Sequence, residues 1–145
     1  MTPRVIIVPV AVNAALWVVT ALVALWRGGW REKLIALVWA AGGLVVLAFL
    51  VGRPPNRPLF SGASLSTDIP LLIAALVCLR RGRRYWVIGA AAFALLEVIT
   101  DTIFLVAPSV TEFAFASAHR IWGWALEAVI VWASLTHRRG DPAGR

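Results

Sequence analysis

The chain has 145 residues, of which 61% are hydrophobic and 14% are charged, and its mean hydropathy is +0.84. This composition excludes an ordinary soluble domain and indicates an all-α integral membrane protein. The formal charge of +7 does not indicate nucleic-acid binding, because the basic residues form short clusters between apolar segments, as topology signals and phospholipid contacts do.

Five apolar segments predict a bundle of transmembrane helices, since about 20 apolar residues cross a hydrocarbon core about 30 Å thick. We expect a single domain over residues 1–145, with spans at residues 5–26, 34–51, 61–79, 85–107 and 113–136. The third span is the weakest, because its purely apolar run covers only residues 69–79. Ser66 or Thr67 is a suitable N-cap for it, with Pro70 in the first turn, and a short re-entrant or interfacial helix is the alternative.

The basic residues of the connecting segments predict the orientation of the bundle. Most of them follow spans one, three and five: Arg27, Arg31, Lys33, Arg80, Arg81, Arg83, Arg84, Arg138, Arg139 and Arg145. The opposite ends of the spans carry Arg4, Arg53 and Arg57. Short loops rich in Lys and Arg stay in the cytoplasm, so we expect the N-terminus outside and the C-terminus inside. The expected location is the plasma (inner) membrane of a bacterium.

Polar side chains within the spans are the candidates for function. A charge near the bilayer centre costs at least ~2.5–3.5 kcal/mol unless it is paired, protonated or hydrated. From the rise of an α-helix, four spans each contribute one polar residue to a layer roughly 9–12 Å below their outer ends. These residues are Asn13, Asp68, Asp101 and Arg120. Glu97 and Glu127 lie nearer the middle of the bilayer.

Helical spacing predicts which of these side chains face each other. Glu97, Thr100 and Asp101 share one stripe of span four, and Arg120, Trp124 and Glu127 share one stripe of span five. The short turn between these spans makes them antiparallel neighbours. We therefore expect a polar pocket that opens to the outer leaflet, with Trp17 and Trp124 as walls. We also expect an ion pair between Asp101 and Arg120, and the alternative is that this pair only fixes the helix register.

The carboxyl groups outnumber the cations of this layer, so at least one is expected to be protonated. A neutral acid beside an ionised one suits general acid/base catalysis, and it equally suits a proton-coupled carrier. The catalytic candidates are Glu97, Asp101, Glu127 and Asp68. The candidates for substrate binding are Asn13, Trp17, Thr100, Arg120, Trp124 and His119. His119 has no second histidine at ligand spacing, so we predict no metal and no cofactor.

Three segments of the C-terminal half carry a resemblance to a known group of proteins. They are DIPLLIAALVCLRRGRRYWVIG, LLEVITDTIFL and HRIWGWALEAVIVW, which begin at Asp68, Leu95 and His119. Together they resemble the last three helices of the emopamil-binding and EXPERA group of small membrane proteins, which includes sterol isomerases. The resemblance implies a lipophilic substrate, a cationic intermediate shielded by aromatic rings such as Trp124, and proton transfer by Asp68, Glu97, Asp101 and Glu127.

These observations favour an intramembrane isomerase or cyclase that acts on a terpenoid- or sterol-like substrate. The first alternative is a small proton-coupled carrier or lipophile-binding protein, and the second is a structural subunit of a membrane complex. The expected partners are a lipophilic small molecule and membrane lipids, with no nucleic acid. The oligomeric state stays open, with a homo-oligomer among the alternatives.

Overall fold

The structure is a computed structural model that describes the backbone of residues 4–50, 57–81 and 84–136 and the side chains of residues 12–49, 60–81 and 84–136. It contains five α-helices: α1 (Arg4–Arg27), α2 (Trp30–Leu50), α3 (Arg57–Arg80), α4 (Tyr85–Val106) and α5 (Glu112–Thr136). No β-strand occurs within these ranges. The predicted all-α class is therefore confirmed.

The helices form a closed ring. Each packs against the next along the chain, and α5 returns to pack against both α1 and α2. At the α1–α2 connection, a Cβ atom added to Gly28 would lie 2.7 Å from Glu32 Cβ and 3.2 Å from Ser134 Oγ. The C-terminal part of α5 therefore meets this connection, and the lack of a side chain at Gly28 permits the close approach.

Basic residues gather at the end of the bundle where α1 and α3 finish. Arg31 Nη2 donates a hydrogen bond of 2.6 Å to the carbonyl oxygen of Arg81. The guanidinium carbons of Arg31 and Arg81 lie 5.3 and 5.6 Å from the ring centroid of Trp30, within the range of cation–π attraction. We call this end, with Arg27, Arg31 and Arg81, the basic end. Other basic residues of the topology argument lie outside the described residues: Arg53, Arg83, Arg138, Arg139 and Arg145.

The apolar core occupies the half of the bundle nearest the basic end. Its fully buried members include Ile35, Leu71, Val87 and Ile130, which come from four different helices. The buried carboxylates Asp68 and Asp101 lie toward the opposite end: Asp68 precedes the core residues of α3, and Asp101 follows those of α4. We call the half that contains this core the apolar half, although it also buries Thr20, Glu32 and Ser134, and we call the other half the polar half.

Three of the helices are long and apolar enough to cross a membrane, over Trp30–Phe49, Phe60–Arg80 and Tyr85–Val106. The part of α1 with described side chains, Val12–Arg27, is a shorter apolar stretch. In α5 the charged residues Glu112, Arg120 and Glu127 interrupt the apolar sequence. These properties are compatible with an integral membrane protein.

The start of α3 differs from the prediction. The helix begins at Arg57, so Pro58 lies in its first turn, where a missing N–H has no consequence, and Pro70 lies inside it. Ser66 is not an N-cap, because its hydroxyl donates a 2.7 Å hydrogen bond to the carbonyl oxygen of Ala63 within the helix. Thr67 likewise donates to the Ser64 carbonyl oxygen at 2.7 Å. The helix continues through Pro70 because the segments on both sides of it are packed in the bundle.

Two glycines let α2 approach its neighbours closely. A Cβ atom on Gly42 would lie 2.9 Å from Thr67 Cβ of α3, and one on Gly43 would lie 2.7 Å from Trp17 Cε3 of α1. Real Cβ atoms do not approach other heavy atoms so closely. Gly43 therefore allows the Trp17 ring to pack against the part of α2 that lies in the polar half of the bundle.

We expect the Gly43→Ala variant to be less stable than the Gly62→Ala variant by ~1–3 kcal/mol, the usual range for inserting a methyl group into packed space. The matched control is Gly62→Ala, since a Cβ atom on Gly62 would have no neighbour within 4 Å. Replacing glycine by alanine raises helix propensity by about 1 kcal/mol at either position. The difference in unfolding free energy between the two variants therefore reports the clash with Trp17. Thermal unfolding in detergent measures it, and equal stability of the two variants would contradict the close packing of α1 on α2.

Candidate acid/base site

The α3 helix directs a polar stripe into the bundle. Ser61, Ser64 and Asp68 follow one another at spacings of three and four residues, and all three are buried. Ser61 Oγ donates a 3.2 Å hydrogen bond to the carbonyl oxygen of Asp101. This bond connects the N-terminal part of α3 to α4 beside the Asp101 carboxylate.

The α4 helix contributes Glu97 and Asp101, one turn apart and both 0% exposed. None of their four carboxylate oxygens has a hydrogen-bond partner among the described residues. A buried polar atom without a partner is costly, and a buried charge without a counter-charge is more so. Each of these carboxyl groups must therefore be neutral, bind a cation or accept a hydrogen bond.

Asp68, Asp101 and His119 converge from three different helices. One potential ligand atom from each side chain lies within 4.8 Å of the others. His119 Nδ1 lies 3.6 Å from Asp101 Oδ1, while 26% of the His119 side chain is exposed. We call these three residues the carboxylate–histidine cluster. Its histidine lines both of the cavities described below, and Asp68 lines the smaller one.

Phenylalanines cover the cluster on the side away from the apolar core. Phe104 and Phe115 stack with their ring centroids 4.0 Å apart, and Phe60 meets Phe115 edge-on at 5.7 Å. The His119 ring lies almost parallel to Phe115, with the centroids 5.6 Å apart. This packing restricts the orientation of the imidazole.

Glu97 and Trp39 both approach Gly123, and Trp39 connects this point to Glu127. A Cβ atom on Gly123 would lie 3.4 Å from Glu97 Oε1 and 3.3 Å from Trp39 Cη2. Trp39 Nε1 in turn donates a 3.3 Å hydrogen bond to Glu127 Oε1. Glycine at position 123 thus lets a carboxyl group of α4 and an indole of α2 meet at the surface of α5.

Two cavities adjoin these groups. The larger has a volume of about 210 Å³ and is lined by Asn13, Trp17, Trp39, Val46, Leu47, Phe60, Ser64, His119, Arg120, Gly123, Trp124 and Glu127. The smaller has a volume of about 50 Å³, and Asp68 and His119 both line it. Five residues line both cavities: Trp17, Trp39, Val46, Ser64 and His119. An apolar cavity of ~150 Å³ holds benzene, so the larger one has room for a ring-sized apolar group.

Most of the predicted site residues line these cavities. The larger contains Asn13, Trp17, His119, Arg120, Trp124 and Glu127, and the smaller contains Trp17, Asp68 and His119. Trp124 Nε1 donates a 3.1 Å hydrogen bond to Asn13 Oδ1, which joins α5 to α1. Thr100 instead donates to the Leu96 carbonyl oxygen of its own helix at 2.7 Å and lines neither cavity. Its role in substrate binding stays a prediction.

The expected pair between Asp101 and Arg120 is wrong. Asp101 Oδ1 lies 3.6 Å from His119 Nδ1, whereas Arg120 is exposed and lines the larger cavity. Consecutive residues of an α-helix point about 100° apart, so only one of His119 and Arg120 can face α4. The imidazole does so, because Phe115 holds its ring from the preceding turn.

Three residues of the site were not among the predicted ones: Trp39, Ser61 and Ser64. Trp39 lies in an apolar run of α2 without any charged neighbour, and nothing in that run distinguishes it from a lipid-facing tryptophan. The spacing of Ser61 and Ser64 from Asp68 is a detectable signal once α3 is known to start at Arg57. The misplaced start of this helix concealed it.

Comparison of the chain with protein families, characterised proteins and solved structures finds no match. The resemblance to the emopamil-binding and EXPERA group stays an expectation.

A double-mutant cycle distinguishes the two possible partners of Asp101. We expect Asp101→Asn and His119→Gln to be coupled by ~0.5–3 kcal/mol in unfolding free energy, because they share one contact. Asp101→Asn and Arg120→Gln should add within about 0.5 kcal/mol, since they share none. Coupling to Arg120 that exceeds coupling to His119 would contradict the described arrangement.

Proposed function

We propose that this protein is an intramembrane acid/base enzyme, an isomerase or a cyclase, whose substrate is a terpenoid- or sterol-like lipid bound in the larger cavity. The observation that carries the proposal is Glu127, a carboxyl group at the wall of a cavity lined mainly by aromatic and aliphatic side chains. Such a cavity binds an apolar substrate, and the few polar groups in it determine where chemistry takes place.

Glu127 is the proposed proton donor. Its Oε1 accepts the Trp39 hydrogen bond, which fixes the carboxyl group at the cavity wall. In its neutral form it protonates an alkene or an epoxide, and the resulting carboxylate removes a proton from a neighbouring carbon. The proton is returned, so isomerisation or cyclisation needs no oxidant, reductant or cofactor. Glu97, behind Gly123, is the proposed second carboxyl group of this proton transfer.

The tryptophans suit a cationic intermediate. Trp17 and Trp39 meet edge-on with their centroids 6.4 Å apart, and with Trp124 they line the larger cavity. The faces of aromatic rings attract cations without acting as nucleophiles, so they stabilise a carbocation and do not trap it. Arg120, which is exposed at the cavity, would contact a polar group of the substrate.

The proposed setting is a membrane crossed by all five helices, with the basic end in the cytoplasm of a bacterium. Helices α1 and α5 have 24 and 25 residues, so each is ~36 Å or more in length, enough for a hydrocarbon core of about 30 Å. The excess of Lys and Arg at the basic end supports the orientation. The larger cavity would then lie in the outer half of the bilayer, where a lipophilic substrate can enter from the lipid.

The enzymatic proposal predicts that Glu127→Gln lowers turnover by ~10²-fold or more, the usual effect of removing a positioned acid or base. The assay incubates purified protein in liposomes with polyprenoids, their epoxides or sterols, and detects rearranged products of unchanged mass by chromatography and mass spectrometry. Glu112→Gln is the matched control, since Glu112 is exposed at the start of α5. It should retain full activity.

A carrier or lipophile-binding protein would give a different result. It would bind one of these lipids in a manner sensitive to Trp39→Phe and Glu127→Gln and would return it unchanged. Full turnover by the Glu127→Gln variant would exclude Glu127 as the proton donor. The absence of product from every substrate class would refute the proposed isomerase or cyclase.

The orientation places the C-terminus in the cytoplasm. A reporter fused after Arg145 should therefore be active if it functions in the cytoplasm and inactive if it functions only outside. Paired fusions with alkaline phosphatase and green fluorescent protein measure this, because the first is active outside and the second inside. A C-terminal phosphatase that is active would contradict the orientation, and with it the proposed opening of the cavity to the outer leaflet.

A further inference from the structure

We propose that the carboxylate–histidine cluster of Asp68, Asp101 and His119 binds a divalent transition-metal cation, for which Zn²⁺ is the best fit. The inference does not depend on the proposed enzymatic function, because a metal at this position can be measured without any substrate. It differs from the sequence-based prediction, which considered His119 without the two carboxylates that the fold brings to it.

The ligand set suits a zinc ion. Imidazole nitrogen and carboxylate oxygen are both zinc ligands, with bond lengths of ~2.0–2.2 Å, and two ligands of one tetrahedral ion are therefore roughly 3.4 Å apart. His119 Nδ1 and Asp101 Oδ1 are 3.6 Å apart, close to that separation. The atoms from all three residues lie within 4.8 Å of one another, so small side-chain movements would complete the site.

The ligand atoms are buried and otherwise unpartnered. Asp101 is 0% exposed, and neither of its carboxylate oxygens has a hydrogen-bond partner among the described residues. The same holds for Asp68 Oδ2 and His119 Nδ1. Thr67 Oγ1 lies 3.3 Å from Asp68 Oδ1, but its single hydrogen is directed to the Ser64 carbonyl oxygen at 2.7 Å. When both carboxyl groups are ionised, the oxygens of Asp68 and Asp101 thus face one another without a side-chain donor from the described residues within hydrogen-bond distance that satisfies them.

A divalent cation would also balance the charge. Two aspartates and a neutral histidine carry two negative charges, so the complex with a dication is neutral. Neutrality matters here because an uncompensated charge in an apolar bundle is strongly unfavourable. A single proton shared by Asp68 and Asp101 is the alternative, and with a neutral His119 it would leave one negative charge buried.

The smaller cavity provides space for a further ligand. Asp68 and His119 both line it, and its volume of about 50 Å³ exceeds the ~10–15 Å³ that a cavity needs to hold one water molecule. Zinc sites with three protein ligands keep a fourth position for water or substrate. The proposed site is therefore of the open type, and the fourth position faces the cavity shared with Trp17 and Trp39.

The experiment measures zinc binding to the full-length protein in detergent, after any affinity tag has been removed and the protein treated with a chelator. Titration with Zn²⁺ in competition with a chromophoric chelator should show one tightly bound ion per chain. Asp68→Asn, Asp101→Asn and His119→Gln should each weaken Zn²⁺ binding by ~10–100-fold or more. That range is the usual loss when a residue that only hydrogen-bonds to a metal ligand is changed, and removing a ligand itself should cost at least as much. Circular dichroism checks that each variant is folded.

Two controls exclude other ligands. His137→Gln removes the second histidine of the sequence, and Cys78→Ser removes its single thiol. Both should bind Zn²⁺ as tightly as the unaltered protein. If a cluster variant fails to fold, Co²⁺ added to the unaltered protein decides the question. It should give a visible ligand-field spectrum of nitrogen and oxygen ligands, which Zn²⁺ abolishes.

Three results would overturn the proposal. The first is the absence of stoichiometric Zn²⁺ and Co²⁺ binding to the unaltered protein. The second is binding that persists undiminished in folded Asp101→Asn and His119→Gln variants. The third is an infrared band of a protonated aspartic acid that is lost in Asp68→Asn or Asp101→Asn and is unchanged by saturating Zn²⁺, because it would show that a shared proton occupies the cluster.

Discussion

The burial of carboxyl groups inside an apolar helical ring is the constraint on which the rest of this structure depends. Glu97 and Asp101 are fully buried on α4, and Asp68 and Glu127 are nearly so on the helices at either side. Transfer of such groups from water is costly unless they are neutralised. Residues such as His119 and Trp39, which contact these carboxyl groups, therefore have roles that packing alone does not explain.

The division of the ring along its axis offsets the free-energy cost of burying these carboxyl groups. Near the basic end, small and aliphatic side chains such as Ala24, Ala75 and Ala90 pack the helices closely and provide the apolar core. In the other half, glycines replace that packing: Gly43 admits the Trp17 ring, and Gly123 lets Glu97 approach Trp39. The cavities therefore open beside Asp68 and Glu127, whereas the buried Glu32 near the basic end lines neither of them.

The sequence predicted the five helices and the polar half, because apolar length and the depth of charged residues are properties of each helix alone. It failed where neighbouring helices decide the outcome. Pro70 suggested a helix start, but bundle packing carries α3 through it from Arg57. Charge and depth favoured Arg120 as the partner of Asp101, yet rotation of α5 directs His119 to it. Trp39 carried no signal, since its role comes from contacts across the ring.

The central claim is that α3, α4 and α5 bring Asp68, Asp101 and His119 together inside the bundle. Solid-state NMR of the protein in lipid bilayers tests it, with nitrogen-labelled histidine, carbon-labelled aspartate and His137→Gln to leave one histidine signal. The account predicts through-space contacts from the His119 ring nitrogens to carboxyl carbons, and Asp68→Asn and Asp101→Asn assign them. A His119 ring that contacts water and no aspartate carboxyl group would contradict the account.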